Sequence, residues 1–290
     1  MSLDRIRLAS LHDKVMNAEQ AAAFIQDGMT VGMSGFTRAG EAKAVPLALV
    51  KRAKADPLKI TLITGASLGN DLDKQLTEAG VLARRLPFQV DNTLRKAINK
   101  GEVMFIDQHL SETVEQMRNK QLKKPDIAVI EAVAITEDGG IIPTTSVGNS
   151  ASFAIFAEKV IVEINTNLSP AFEGLHDIYI PSYRPTRQPI PLTEVDERIG
   201  TQAINIDPSK IVGIVINSEF HDSPSTVTEP DDETQGIANH LIAFFEKEVA
   251  EDRLPKNLGP LQAGIGSIAN AVLTGLKDSN FEDLIMYSEV

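Results

Sequence analysis

The sequence predicts an α/β fold built on an open parallel sheet. Six short runs are apolar at nearly every position and rich in β-branched residues, which is typical of strands covered on both faces. Helical patterns separate these runs, and the alternation of strand and helix indicates a doubly wound sheet. With 290 residues and 42% hydrophobic content, the chain is long and apolar enough to bury a full core.

The elements follow in order along the chain. A helix is predicted near the N-terminus, because Asn17 suits the N-cap position, Gln20 follows three residues later and Gly28 stands beyond its end. The predicted strands are 29–33, 60–63, 103–106, 127–130, 160–164 and 211–216. The predicted helices are 17–26, 42–55, 70–83, 111–121 and 234–248.

A polar segment divides the chain into two predicted domains. Residues 221–233 are rich in Asp, Ser, Pro, Thr and Glu, a composition typical of a linker. We therefore predict one α/β domain over residues 1–225 and the beginning of a second over 226–290.

Composition excludes several classes of function. The net charge of −12 disfavours nucleic acid and anionic membranes as partners. The chain has no run of 18 apolar residues and no signal-peptide pattern, so we expect a cytoplasmic protein without a membrane span. The absence of cysteine excludes thiolate chemistry, and the five histidines lack metal-ligand spacing, so no metal site is predicted.

Basic residues concentrate in the first 60 residues, and Lys43 stands at the start of a cluster that continues through Lys59. Two interpretations remain open. The first is a solvated helix face, which is the commoner outcome for a run of surface charge. The second is a binding surface for an anionic ligand.

Glycine-containing loops follow two of the predicted strands, at residues 34–40 and 64–69. Ligands of open α/β sheets bind at the carboxyl ends of strands, and small residues let backbone N–H groups approach a ligand oxygen. Tight turns explain the same glycines equally well. A third loop, 143–150, carries several hydroxyls, which we expect to serve as helix caps.

The last 30 residues contain a glycine motif and a carboxylate. Gly264 and Gly266 precede a helical pattern whose free N–H groups suit a phosphate, and Glu289 follows the next short strand. This pattern resembles the dinucleotide fingerprint, which must open a βαβ unit. Residues 254–261 hold too much Pro, Gly and Asn for a good preceding strand, so nicotinamide binding is the second choice.

Several of these segments together resemble one family. They are 34–36, 62–67, 134–140, 145–149, 173–178 and 260–266, and the chain ends in Tyr-Ser-Glu-Val. The combination is similar to the acetyl-CoA hydrolase/transferase family of class I CoA-transferases, and within it to bacterial succinyl-CoA:acetate CoA-transferases. The resemblance spans the whole chain and implies a CoA-transferase-like open parallel sheet domain followed by the beginning of a second, similar α/β domain.

The resemblance also implies roles for individual residues. Glu289 matches the family's covalent nucleophile. The CoA-binding segment maps onto Gly264, Ile265, Gly266, Ser267 and Ile268. The oxyanion and substrate loop maps onto Ser67 and Leu68, with Gly35 beside it. The implied partners are an acyl-CoA and a small carboxylic acid, with CoA as a substrate and no permanently bound cofactor.

The family's chains continue well past the nucleophile, and its members are commonly homodimers. We therefore expect this chain to stop before its second domain is complete and, when alone, to aggregate, to associate with the missing C-terminal part or to lack turnover. Three alternatives to the transferase stay open: an acetyl-CoA hydrolase using the same glutamate, a nicotinamide-dependent oxidoreductase, and a non-catalytic CoA-binding module.

Overall fold

The computed structural model describes residues 3–194, 196–222, 229–264 and 266–288. The chain forms two compact units, residues 1–223 and 224–290. The domain boundary predicted between residues 225 and 226 falls in segment 223–228, outside the described residues. Within the described ranges, no helix has both the length and the apolar content needed to span a bilayer.

The first unit is an α/β sheet structure. Its strands are β1 (Thr30–Met33), β2 (Ile60–Ile63), β3 (Leu82–Leu86), β4 (Met104–Phe105), β5 (Ile127–Ile135), β6 (Ile141–Pro143), β7 (Lys159–Asn165) and β8 (Ile211–Asn217). Its α-helices are α1 (Ala18–Ala22), α2 (Ala44–Ala53), α3 (Leu72–Glu78), α4 (Asn92–Asn99), α5 (Leu110–Arg118) and α6 (Ser150–Phe156). Short 3-10 helices cover Leu3–Arg5, Ala9–Lys14, Pro170–Phe172 and Pro208–Lys210.

In the part of the chain that the structure describes, these strands form one eight-stranded sheet. The order is β4-β3-β2-β1-β5-β7-β8, and β6 pairs with β5. Neighbours along this order are parallel, while β6 runs antiparallel to β5. The predicted fold class, an α/β protein with an open parallel sheet, is confirmed.

Apolar side chains cover both faces of the sheet. All nine residues of β5 are buried. Val129 belongs to one hydrophobic cluster, whereas its neighbours Ala128 and Ile130 belong to another. Because successive side chains of a strand point to opposite faces, the two clusters lie on opposite sides of the sheet. This double coverage is why the strands read as continuous apolar runs.

Helix α1 begins at the predicted cap. The Asn17 side chain accepts a hydrogen bond from the Gln20 N–H at 2.8 Å, and the Gln20 side chain accepts one from the Asn17 N–H at 3.1 Å. This is the reciprocal capping box. The prediction of the N-terminus is confirmed, although α1 ends at Ala22 rather than at residue 26.

The region between residues 70 and 99 differs from the prediction. The helix expected over 70–83 is the shorter α3, and β3 already begins at Leu82. Strand β3 escaped prediction because Arg84 and Arg85 interrupt its apolar pattern, yet Arg85 is fully buried. Helix α4 was also missed, although Asp91 caps it through the Leu94 N–H at 2.8 Å.

The second unit contains α7 (Asp232–Ala250), β9 (Pro260–Ala263), α8 (Ser267–Lys277) and β10 (Ile285–Ser288). Strands β9 and β10 pair in parallel. Its α/β character fits the predicted beginning of a second domain, whose family identity stays a prediction.

Candidate active site

The loop that follows β1 ends in a tight two-residue turn. Thr37 and Arg38 occupy its centre with φ of 49° and 67°. Phe36 and Ala39 bond to each other in both directions, with N···O distances of 2.9 and 3.1 Å. Left-handed backbone at both central positions is typical of a type I′ turn. The Arg38 N–H donates to the Ser67 carbonyl at 3.1 Å, which ties this turn to the loop after β2.

Two glycines allow these loops to touch through their backbones. A Cβ on Gly65 would lie 2.5 Å from the Gly35 carbonyl oxygen. A Cβ on Gly35 would lie 2.9 Å from Glu41 Cβ and 3.2 Å from Leu68 Cδ2. Gly35 also has φ of 126°, a conformation that other residues rarely adopt. The structure thus brings together Gly35 and Leu68, two of the residues predicted for the substrate loop.

The backbone donors of the predicted oxyanion loop differ in availability. Ser67 and Leu68 are both buried. The Leu68 N–H donates to Asp73 Oδ2 at 3.3 Å, whereas the Ser67 N–H makes no hydrogen bond within the described ranges. An oxyanion can therefore take the Ser67 N–H without breaking a bond, while the Leu68 N–H must first leave Asp73.

Arg85 of β3 holds the loop after β2 in place. Its guanidinium binds Asp73 through two contacts, Nε to Oδ1 at 2.8 Å and Nη2 to Oδ2 at 3.2 Å. The same group donates to the Ala66 carbonyl at 3.1 Å and to the Leu86 carbonyl at 2.7 Å. A buried bidentate pair of this kind has a fixed geometry. This pair could not be predicted from the sequence, because β3 was not predicted.

The hydroxyls of the third loop join it to its neighbours. Ser146 Oγ donates to the Ala39 carbonyl at 2.7 Å, and Thr144 Oγ1 donates to Glu131 Oε1 at 2.8 Å. The expectation that these two hydroxyls cap a helix is wrong, because both reach groups more than ten residues away along the chain. Three loops therefore meet at the carboxyl ends of the strands.

A buried ionic cluster connects to the same loops. Lys43 Nζ lies 2.6 Å from Glu131 Oε2, 2.7 Å from Asp222 Oδ1 and 2.7 Å from the Glu41 carbonyl oxygen. The side chains of Lys43 and Glu131 have no exposed surface. For Lys43, both interpretations, a solvated helix face and a binding surface for an anionic ligand, are therefore wrong. Its ammonium group is buried and binds groups of the protein itself.

Burial dominates the electrostatics of this cluster. It raises the pKa of Glu131 to about 7, although the Lys43 ammonium pulls the value down. Asn165 Nδ2 donates to Glu131 Oε2 at 3.2 Å. Burial by itself lowers the pKa of Lys43, but Glu131 and Asp222 more than offset it, so the pKa lies above its usual value. Lys43 therefore stays charged at neutral pH, while Glu131 changes its protonation state near neutral pH.

A second buried carboxylate caps helix α2. Glu163 of β7 accepts hydrogen bonds from the backbone N–H groups of Lys43 at 2.8 Å, Ala44 at 2.9 Å and Val45 at 3.0 Å. These are donors that the first turn of a helix leaves unpaired. Burial raises the pKa of Glu163 against their pull. The cap fixes the start of α2, immediately after the first loop.

Glu41 is a functional candidate that the sequence did not reveal. Its side chain is fully buried, and Oε1 accepts a hydrogen bond from Asn70 Nδ2 at 2.8 Å. Oε2 is buried and has no hydrogen-bond partner within the described ranges. Burial raises the pKa of Glu41. A buried carboxyl group with a raised pKa therefore lies between the loops that follow β1 and β2.

The predicted CoA-binding segment lies at the start of α8. Gly266 is the N-cap residue with φ of 124°, and Ser267 is the first helical residue. A Cβ on either Gly264 or Gly266 would meet no atom within 4 Å, so space is open beside this turn. Ile268 is half exposed and, with Gly264, lines an apolar cavity of about 370 Å³. These four predicted residues are adjacent in the structure.

Two predicted site residues, Ile265 and Glu289, lie outside the described residues. Strand β10 ends at Ser288, so Glu289 follows the carboxyl end of that strand in sequence. This is the position at which parallel α/β sheets present ligand-binding residues.

The expectation that no good strand precedes Gly264 is wrong. Strand β9 ends at Ala263, and β10 pairs with it in parallel after α8. The element order of a βαβ unit is therefore present. Pro260 is tolerated because it is the first residue of an edge strand, where a missing N–H costs no ladder bond.

Comparison with known proteins identifies the family. The acetyl-CoA hydrolase/transferase N-terminal domain matches residues 2–216. A succinyl-CoA:acetate CoA-transferase from Clostridium kluyveri is 46% identical over 99% of this chain and 53% of its own length. An acetyl-CoA hydrolase from Kluyveromyces lactis is 43% identical over 99% of this chain and 56% of its own.

Among solved structures, RipA from Yersinia pestis superimposes with a TM-score of 0.68 at 19% identity, covering 97% of this chain and 57% of RipA. This likeness concerns the fold alone. The chain spans about half the length of the curated relatives it matches. The match over residues 2–216 and the identity across nearly the whole chain show that it belongs to the acetyl-CoA hydrolase/transferase family.

Proposed function

We propose that this chain is part of an enzyme that transfers CoA between an acyl-CoA and a small carboxylate through a covalent glutamyl-CoA thioester on Glu289. The observation that carries the proposal is the family match across nearly the whole chain, with a succinyl-CoA:acetate CoA-transferase at 46% identity. Acetate and succinate are accordingly the proposed acids, and CoA is a substrate rather than a resident cofactor.

The chemistry proceeds by successive acyl transfers. The Glu289 carboxylate attacks the thioester carbonyl and expels CoA as a thiolate, which leaves a mixed anhydride. The thiolate then attacks the glutamyl carbonyl of the anhydride, releasing the first acid and forming glutamyl-CoA. An incoming carboxylate repeats the two steps in reverse order and leaves with CoA. Each step converts one activated acyl bond, a thioester or an anhydride, into another, so no ATP is consumed.

Each addition creates a tetrahedral oxyanion that needs hydrogen-bond donors. We assign the Ser67 N–H to this role, because it is buried and unpaired within the described ranges. Loss of one such donor typically slows a reaction about 100- to 1,000-fold. Gly65 packs closely against the Gly35 carbonyl oxygen, and this contact favours a fixed position for the Ser67 loop, which is what a preorganised donor requires.

The start of α8 is the proposed site for CoA. Its first N–H groups carry the positive end of the helix dipole, and within the described residues no side chain caps them. The open space beside Gly264 and Gly266 leaves room for a phosphate or for the pantetheine arm.

Trapping the intermediate tests the proposal. The protein is incubated with succinyl-CoA, reduced with borohydride and analysed by intact-protein mass spectrometry. Glutamyl-CoA should be reduced to an alcohol, which lacks one oxygen and carries two more hydrogens than glutamic acid. Glu289→Gln, which keeps the size of the side chain, should show no such change. If this chain alone does not react, the same experiment on a chain as long as the relatives decides whether the proposal is correct.

Thioester hydrolysis is the second candidate, because an acetyl-CoA hydrolase is 43% identical. The same glutamyl intermediate would serve, with water as the final acceptor. Measuring acetyl-CoA consumption with and without added succinate separates the two: a transferase needs the acid, and a hydrolase does not.

Two alternatives outside acyl transfer have direct tests. A nicotinamide-dependent enzyme would use Gly264, Gly266 and Glu289 and should bind NAD in calorimetry without CoA. A non-catalytic module should bind CoA and form no adduct. The homodimer and the cytoplasmic location stay predictions, and light scattering tests the former.

A further inference from the structure

A cavity of about 590 Å³ opens on the first unit, beside the loops of the candidate active site. Its walls come from α5, the loop before α6, the start of α6 and residues 177–187. Gly148 belongs to this lining, and a Cβ on Gly148 would lie 3.3 Å from Phe36 Cβ in the loop after β1. The cavity therefore shares a wall with the three loops, yet none of the predicted site residues lines it.

Three arginines in this cavity converge on one glutamate. Arg187 Nη2 lies 2.6 Å from Glu115 Oε1, and Arg118 Nη1 lies 3.2 Å from the same oxygen. Arg184 Nε lies 4.0 Å from Glu115 Oε2. Each guanidinium group has about five N–H donors, so the three together have about fifteen. One carboxylate cannot accept hydrogen bonds from all of them. The cluster around Glu115 has an excess of positive charge and of donors.

Arg118 retains unused donors although it is buried. Its side chain is 3% exposed, and the guanidinium carbon lies 5.2 Å from the centre of the Tyr183 ring. Nη1 makes the bond to Glu115, while the buried Nε has no hydrogen-bond partner in the described part of the chain. Nε and Nη2 form one edge of the guanidinium fork, the edge that binds two oxygens of a carboxylate or phosphate at once.

Arg187 shows the same deficit, since its Nε is also buried and without a hydrogen-bond partner among the described residues. Buried polar groups of this kind are normally paired, because an unpaired donor costs the full penalty of its desolvation. Two adjacent arginines thus leave unpaired Nε groups beside an open cavity, and the described residues supply no acceptor for them.

The other acids of the cavity do not supply that acceptor. The Asp177 carboxylate already accepts hydrogen bonds from the backbone N–H groups of Ile199 and Gly200. Glu112 is exposed to solvent. Formal charges in the lining balance, but the acids are engaged or solvated, whereas the Nε donors of Arg118 and Arg187 are buried and unpaired among the described residues.

We infer that this cavity is a binding site for an oxyanion group, a carboxylate or a phosphate, held in a bidentate manner by Arg118 with Arg187 beside it. For a dicarboxylic acid the inference rests on the proposed function, which names succinate as a substrate, although no step of the proposed acyl transfer uses these arginines. Two sources share this chemistry: the second carboxylate of a dicarboxylic acid and the phosphate of a phosphorylated ligand.

Calorimetric titration of the unmodified protein tests the site and reads binding rather than turnover. Sodium succinate, inorganic phosphate and acetate are titrated at one ionic strength, which is kept constant with sodium chloride. We expect succinate or phosphate to bind with a Kd of about 1 mM or lower. Succinate alone points to a dicarboxylic acid, and phosphate alone to a phosphorylated ligand. If neither succinate nor phosphate binds, the inference is wrong, whether or not Glu289 forms an adduct.

Variants then locate the bound anion. Arg118→Gln should weaken binding about tenfold or more, and Arg118→Lys should also weaken it, because an ammonium keeps the charge but loses the fork. Arg95→Gln, on the exposed face of α4, is the matched control and should bind as the parent does.

Because Arg118 is buried, each variant is first checked for a cooperative unfolding transition. Arg187→Gln, at a more exposed position, provides a second route if Arg118→Gln does not fold, and it should also weaken binding. Unchanged affinity in the folded arginine variants, or equal weakening in Arg95→Gln, would place the anion elsewhere and refute the assignment.

Discussion

The two units of the chain bury their apolar residues to very different extents. In the first, every residue of β5 is buried, and both faces of the sheet are covered. In the second, the buried residues of the 19-residue helix α7 that the structure describes are Thr234 and Ala238, while Phe244 is 52% exposed. One unit therefore has a core covered on both faces, whereas the other buries a few small or aliphatic side chains and leaves several large apolar ones exposed.

The difference follows from the sheets themselves. A two-stranded sheet offers little surface for packing, and three or more strands or further helices are normally needed for independent stability. Within the described ranges, the second unit has only β9 and β10, and Ile268, Ile285 and Met286 are each at least 37% exposed. Association or aggregation through this surface remains the prediction made from the sequence.

Truncating an aromatic side chain in each unit should give the largest contrast. Phe153 is fully buried, and its ring packs on the Gly32 backbone. Phe153→Ala should lower the free energy of unfolding by about 3 to 5 kcal/mol. Phe244→Ala should change it by about 0.5 kcal/mol or less. Urea unfolding followed by circular dichroism measures both, and equal losses would mean that α7 is covered in solution.

The buried ionic cluster predicts a pH dependence that exposed pairs lack. The pKa of Glu131 is about 7 in the folded protein and lies near 4.5 when unfolded. The folded state therefore binds more protons between these values, and its stability falls as pH rises from about 4.5 to 7. At 1.36 kcal/mol per pKa unit, the loss amounts to about 3 kcal/mol.

Urea midpoints between pH 5 and 8 test this prediction. Glu131→Gln should reduce the slope and leave the part due to Glu41 and Glu163, whose pKa values are also raised by burial. Glu248→Gln is the control from the second unit. The hydrogen bond to Arg253 lowers the pKa of Glu248, so its contribution is constant in this range and is lost only at more acid pH. An unchanged slope in Glu131→Gln would contradict the assignment.

Glycine substitutions give the smallest contrast in stability. Gly65→Ala places a Cβ 2.5 Å from the Gly35 carbonyl oxygen and should cost about 1 to 3 kcal/mol. Gly264→Ala in the second unit meets no atom within 4 Å and should leave stability nearly unchanged. Thermal unfolding compares them. If Gly264→Ala is the more destabilising change, the open space beside it is filled in solution.

Much of the first unit could be predicted because its strands lie inside a doubly covered sheet. Strand β2 matches its prediction at both ends, and β7 and β8 extend theirs by one residue at one end or at both. The predictions fail where a charged residue is buried. Strand β5 was cut at residue 130 because Glu131 follows, and β3 was missed because of its arginines.

The candidate site was predictable to a similar degree and for the same reason. Strand order predicts that the loops after β1 and β2 lie at the carboxyl ends of the strands, whereas the roles of Gly35, Ser67 and Leu68 came from the family resemblance and stay predictions. The partners of Lys43 were not, because Glu131 is 88 residues away in sequence and only the fold brings them together. A lysine near four other basic residues in sequence is predicted to lie on the surface, because the sequence does not show which acid it pairs with.

The cap that Glu163 forms on α2 has a consequence for the choice of anion. The positive end of that helix is occupied by a carboxylate of the chain itself, at distances of 2.8 to 3.0 Å. A visiting anion would have to displace a residue of the core to reach it. The helix beginning at Gly266 has no such resident side chain within the described residues. Among the described residues, the start of α2 is thus satisfied by the chain itself and the start of α8 is not, so an anion should compete with a core residue only at the first of these helices.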